Sequence, residues 1–122
     1  MPLALAVTAC GTGHEEEVEA TAADFYAALA DRDGAAACAL LAPATRSELE
    51  QSSGKPCPRA VLEEKVPKAG DPDTVQVFGT EGQVTFDRET TFLGDFPQGW
   101  RVVAAGCTPR EPRPYDCVLS GG

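Results

Sequence analysis

Residues 15–106 predict an α+β domain in which N-terminal helices pack on a curved, four-stranded antiparallel sheet. Three observations predict it. Apolar residues recur at helical spacing through the first half of the chain, the period changes to two from Thr74 onward, and prolines and turn residues separate the segments. Helices first and strands second is the order of an α+β fold, and 122 residues allow one such domain with one core.

The first helix is read over "TGHEEEVEATAADFYAALADRDG". Thr12 and Glu15 form a capping box, and Glu15, Glu16, Glu17 and Glu19 complement the positive end of the helix dipole. Val18, Ala22, Phe25, Tyr26 and Leu29 fall on one face. Asp33 and Gly34 interrupt the helix, and Asp33 is placed to cap a second one over "GAAACALLA", which stops at Pro43. "ATRSELEQS" reads as a third. After "SGK" a fourth helical turn starts at Cys57, with Pro58 in the favoured first position. Helical signals end at "VPKAGDPD".

Alternation then takes over. "TVQVFG" and "QVTFDR" flank "TEG" as one hairpin, and "TTFLGDF" and "WRVVAA" flank "PQG" as another. Residues 107–122, containing "TPREPRPYDCVLSGG", are proline-rich and read as an irregular, disulfide-closed loop and tail.

Apolar residues make up 43% of the chain, but aromatics only 7%, so the core rests on a few large side chains: Phe25, Leu29, Leu41, Val77, Phe86, Phe92, Trp100 and Val102. So small a core gains from covalent support. Five cysteines are present; with Cys10 set aside, four remain, an even number that signals a disulfide framework in an oxidising compartment. Of three possible connectivities, local geometry favours Cys38 with Cys57 and Cys107 with Cys117. An antiparallel return of the short helices brings the first pair together, and the prolines before Cys117 limit the wandering of the chain between the second.

The formal charge of −9 excludes nucleic acid as a partner, because such binding requires clustered Lys and Arg, and it argues against anionic lipid surfaces for the same reason. At the N-terminus, "LALAV" is uncharged and too short for a complete export signal or a membrane span. "VTACG", Val7 to Gly11, resembles a bacterial lipobox. On that reading residues 1–9 are the remnant of a signal peptide, Cys10 is lipid-modified, residues 10–14 are a tether, and the domain sits at the outer face of the cell membrane.

The run "FYAALADRDGAAACALLAPATRSELEQSSGKPC", followed by "FPQGWRVVAAGCTPR" and "RPYDC", resembles a family of small secreted actinobacterial lipoproteins of unknown function. The resemblance covers nearly all of residues 20–122, and its most specific part is the paired cysteines with "GWRVVAAGC". It implies an NTF2-like or cystatin-like cone, a long helix and shorter ones wrapped by a bent sheet. Such cones host isomerases, cyclases and dehydratases as well as non-enzymatic binding modules, so fold alone does not decide function.

An enzyme on this scaffold needs a carboxylate or histidine beside a tyrosine in the cone interior. Tyr26, Asp24 and Asp33 are the candidates, each with a structural reading as core residue, surface acid or helix cap. Tyr26→Phe and Asp24→Asn are accordingly expected to cost less than ~1 kcal/mol. His14, the single histidine, lies beside the tether among glutamates and reads as solvated. Metal-ligand spacings, a nucleophile motif and a phosphate loop are all missing, so no catalytic residue, metal or cofactor is expected. The expectation is a binding or interaction module for a small apolar ligand or an envelope protein, its pocket drawn from Phe25, Tyr26, Leu29, Phe86, Phe92 and Trp100. The alternatives are an isomerase- or cyclase-type enzyme and a structural envelope component.

Overall fold

The computed structural model describes residues 13–110 and 113–121. Four helices come first: α1 (Gly13–Ala30), α2 (Gly34–Ala39), α3 (Pro43–Ser53) and α4 (Cys57–Glu63). Five strands follow: β1 (Pro72–Phe78), β2 (Glu81–Phe86), β3 (Thr90–Phe96), β4 (Gly99–Arg110) and β5 (Arg113–Ser120). They form one antiparallel sheet in the order β1-β2-β3-β4-β5. Thr12, half of the expected capping box, and Cys10 with its lipobox lie outside the described residues.

Helix α1 lies across the sheet, packing on β1 through β4. Val18, Ala22 and Phe25, spaced one helical turn apart, are fully buried against Val84, Leu93 and Val102 in a single core. The shorter helices complete the helical layer. Asp33 caps α2, its carboxylate accepting the Ala36 N–H at 3.1 Å. Glu50 on α3 does the same for α4, accepting the Cys57 N–H at 2.9 Å. Gly34 is where α2 meets α4: a β-carbon there would stand 1.9 Å from the Pro58 carbonyl oxygen, so only glycine permits the approach. The Cys38–Cys57 disulfide locks the same pair of helices, with Cα atoms 6.1 Å apart.

The sheet has five strands where the sequence predicts four. The segment expected to be an irregular tail continues β4 to Arg110 and returns as β5. β5 is an edge strand, and Pro114 falls at its register shift, between the pairs Arg110↔Arg113 and Thr108↔Asp116, where proline is tolerated. The second disulfide joins direct cross-strand partners, Cys107 and Cys117, and so holds the edge in register.

Pairing of β5 stops at Ala104↔Ser120, leaving the first half of β4 without a strand neighbour on that side. The link between α2 and α3 covers it. Ala42 donates its N–H to the Val102 carbonyl at 2.8 Å, Val102 donates to Leu40 at 2.7 Å, and the Thr45 hydroxyl donates to Val103 at 2.7 Å. An edge left open would invite pairing with another chain. Register shifts between β3 and β4 around Phe92 insert extra residues into β4 and bend it.

Candidate functional site

The β4 bulge has a second consequence. Thr90 pairs with Cys107 and Phe92 with Ala104, so Ala105 and Gly106 together oppose Thr91. Gly106 takes a left-handed φ of 67°, and its N–H donates to the Tyr26 hydroxyl at 3.3 Å, the ring of α1 reaching across to the sheet. The same hydroxyl is 2.8 Å from Thr91 Oγ1. Edge-on contacts with Phe25 and Phe86 fix the tyrosine ring, at centroid distances of 5.5 and 5.2 Å.

Glu89 completes this cluster. It closes the turn between β2 and β3, where its carbonyl accepts the Phe86 N–H at 2.7 Å, and its side chain is only 3% exposed. Neither carboxyl oxygen has a hydrogen-bond partner among the described residues. Burial therefore raises the Glu89 pKa above the ordinary glutamate value, opposed only in part by the nearby Tyr26 hydroxyl. Burial also pushes the Tyr26 phenol well up; its bond with Thr91 works against this, and the charge of Glu89 adds to it. The tyrosine stays neutral.

Tyr26 also has an open side. Its ring, with Leu29 and Phe86, lines a cleft of about 630 Å³ between the C-terminal half of α1 and the segment from Val66 to Pro72. The walls are mainly alanine, valine and proline, with Arg32 and Lys68 as their charged members. The hydroxyl points away from this space into the sheet, and Glu89 does not line it. A ligand in the cleft would thus meet Tyr26 but no Asp or Glu of the lining.

The other side chains nominated for a pocket do not gather here. Phe25 is fully buried in the core. Phe92 lies on the opposite face of the sheet, edge-on to Tyr115 at 5.0 Å, beside a hollow of about 480 Å³ that the exposed Phe78 also borders. Trp100 is buried beneath a third hollow, of about 510 Å³, with His14 and Asp24 on its rim. His14 is exposed and 3.8 Å from Glu17. Among the described residues no three His, Cys, Asp or Glu side chains cluster as metal ligands.

Sequence reasoning missed Glu89, Thr91 and Gly106. A signal for the first was present: Leu93 and Thr91 point inward, and strand alternation carries Glu89 to the same face. Arg32 and Lys68 carried no such signal, because α1 and the segment after α4 must pack before the two residues share a cleft.

Two disulfides in so short a chain point to an oxidising, extracytoplasmic environment. No helix among the described residues is long and apolar enough to cross a membrane. Comparison with protein-family models, with curated proteins and with solved structures returns no match.

Proposed function

We propose that this chain is an extracytoplasmic binding domain without catalysis of its own, which takes a small, largely apolar ligand in the cleft between α1 and residues 66–72. The orientation of Tyr26 carries the reading. An isomerase- or cyclase-type site needs a base and a hydrogen-bond donor aimed at the ligand; here the hydroxyl is committed to Thr91 and Gly106, and the buried carboxyl of Glu89 lies outside the cleft. A cleft of about 630 Å³ falls within the ~300–1,000 Å³ usual for small-molecule sites.

The fold assignment that accompanies this reading is an NTF2-like cone, supported by a long first helix laid across a bent antiparallel sheet. The lipid anchor at Cys10, the location at the outer face of the cell membrane and membership of a secreted actinobacterial lipoprotein family rest on "VTACG" and the cysteine-bearing segments of the sequence. In a bacterial host that lipidates exported proteins, mass spectrometry of the full-length product checks the anchor. An acylated Cys10 at the mature N-terminus is expected, and Cys10→Ser releases the protein; an unmodified cysteine on an exported chain refutes it.

The cleft is tested with N-phenyl-1-naphthylamine, an uncharged apolar dye that fluoresces when removed from water. Wild type should bind it saturably, and Ala27→Phe, which fills the cleft from an exposed helix position, should weaken binding at least ~10-fold while leaving the unfolding midpoint unchanged. Equal binding by both proteins places the dye elsewhere and overturns the reading.

A further inference from the structure

We infer that the ligand of this cleft is an amphiphile with an anionic head group, its apolar body against Tyr26, Leu29 and Phe86 and its head between Arg32 and Lys68. The inference rests on the reading of the cleft as a binding site and names the chemistry it selects.

Charge distribution is the first observation. The chain has 19 acidic residues and 10 Lys and Arg, yet the cleft lining includes both Arg32 and Lys68 and not one Asp or Glu. Neither cation is neutralised. Arg46, Lys55 and Arg110 pair with Glu50, Glu63 and Asp116, whereas the side chains of Arg32 and Lys68 make no ion pair or hydrogen bond among the described residues. Asp33, the neighbour of Arg32, is turned to the Ala36 N–H. Asp87, against Gly70 beyond Lys68, accepts the Asp71 N–H at 3.4 Å. A chain with net negative charge thus places two cations and no carboxylate in the lining of an apolar cleft.

Backbone conformation is the second, independent observation. Arg32 is the one non-glycine residue with positive φ among those described, at 56°. It lies in the turn two residues past the end of α1, where Asp33 N–H returns to the Ala28 carbonyl at 2.9 Å and Arg32 N–H to the Leu29 carbonyl at 3.1 Å. Glycine is the residue favoured in that left-handed position, because a β-carbon strains it. An arginine there is costly to the fold, and such strain accompanies functional positions. Arg32 is among the residues that line the cleft, where a glycine would bring no charge.

Two dyes that differ by one sulfonate provide the test: uncharged N-phenyl-1-naphthylamine and anionic 1-anilinonaphthalene-8-sulfonate. Wild type should bind the sulfonate at least ~10-fold more tightly, and 0.5 M salt should shrink that preference. Arg32→Gly, Lys68→Ala and the double variant should lose the preference and still bind the uncharged dye; Arg32→Gly should at the same time unfold at higher denaturant, since it relieves the left-handed strain. Equal affinities for the two dyes in wild type, or a preference that survives in the double variant, overturn the anionic head group while leaving the cleft as an apolar site. Failure of both dyes to bind overturns the cleft itself and this inference with it. Displacement by decanoate identifies a carboxylate head and displacement by decyl phosphate a phosphate head; displacement by decanol as effective as by either anion overturns the proposal.

Discussion

The Tyr26 hydroxyl lies 2.8 Å from the Thr91 hydroxyl, tying the first helix to the middle strand of the sheet across 65 residues of chain. The Gly106 N–H, freed from the ladder by the β4 bulge, bonds to the same oxygen. Three elements thus meet at one phenol, beside the Glu89 carboxyl, which has no hydrogen-bond partner among the described residues.

Tyr26→Phe should therefore destabilise the fold by about 1–3 kcal/mol, because removing the hydroxyl leaves the Thr91 and Gly106 groups without their partner. This exceeds the small cost expected when the hydroxyl is placed near the surface. Asp24→Asn, at an exposed position, should stay within ~0.5 kcal/mol. Urea unfolding of the two variants measures both; a neutral Tyr26→Phe contradicts the hydrogen bonds.

Glu89 should make stability fall as pH rises. Burial raises its pKa in the folded state above that of the unfolded chain, so the folded state holds the proton more tightly. The contribution is fully present below the ordinary glutamate range, near ~4.3, and is lost as pH climbs through the raised folded value. Glu89→Met removes the charge and both unsatisfied acceptors at similar volume. It should gain about 1–3 kcal/mol over wild type at pH 7 and distinctly less near pH 4. A gain that is the same at both pH values excludes titration of Glu89 as its source.

Gly34→Ala should cost about 3 kcal/mol or more, since the added methyl group meets the Pro58 backbone oxygen and the helices cannot separate while Cys38 and Cys57 are bonded. Gly54→Ala serves as the comparison: its φ of 72° strains the new residue, but open space surrounds the β-carbon, so the loss should be about 1 kcal/mol. Equal losses at the two positions would falsify the close approach of α2 and α4.

Replacing both cysteines of a bridge by alanine should cost about 3 kcal/mol for Cys38–Cys57, which closes a separation of 19 residues, and slightly less for Cys107–Cys117, which closes 10. Non-reducing peptide mapping after cleavage between Cys57 and Cys107 checks the pairing directly. Two separate halves, each with an internal bridge, are expected; a covalent link between the halves contradicts it.

The features legible in the sequence are those decided by residues close along the chain. The buried face of α1 follows from side chains one turn apart, the Asp33 cap from a donor three residues on, the two hairpins from alternation on either side of short turns, and the cysteine pairs from separations of 19 and 10 residues. Tertiary structure alone decided the rest. Pro114, which looks like a breaker in "TPREPRPYD", is compatible with β5 because that strand lies at an edge, and a residue cannot know from its own sequence which strand will be its neighbour. Likewise Glu89 is buried without a partner, Gly34 meets Pro58, and Arg32 and Lys68 share a cleft only after helices and sheet have docked. Propensity and period act over a few residues. Burial, edge position and charge proximity depend on which distant segments the core brings together, and it is at those contacts that the candidate site is made.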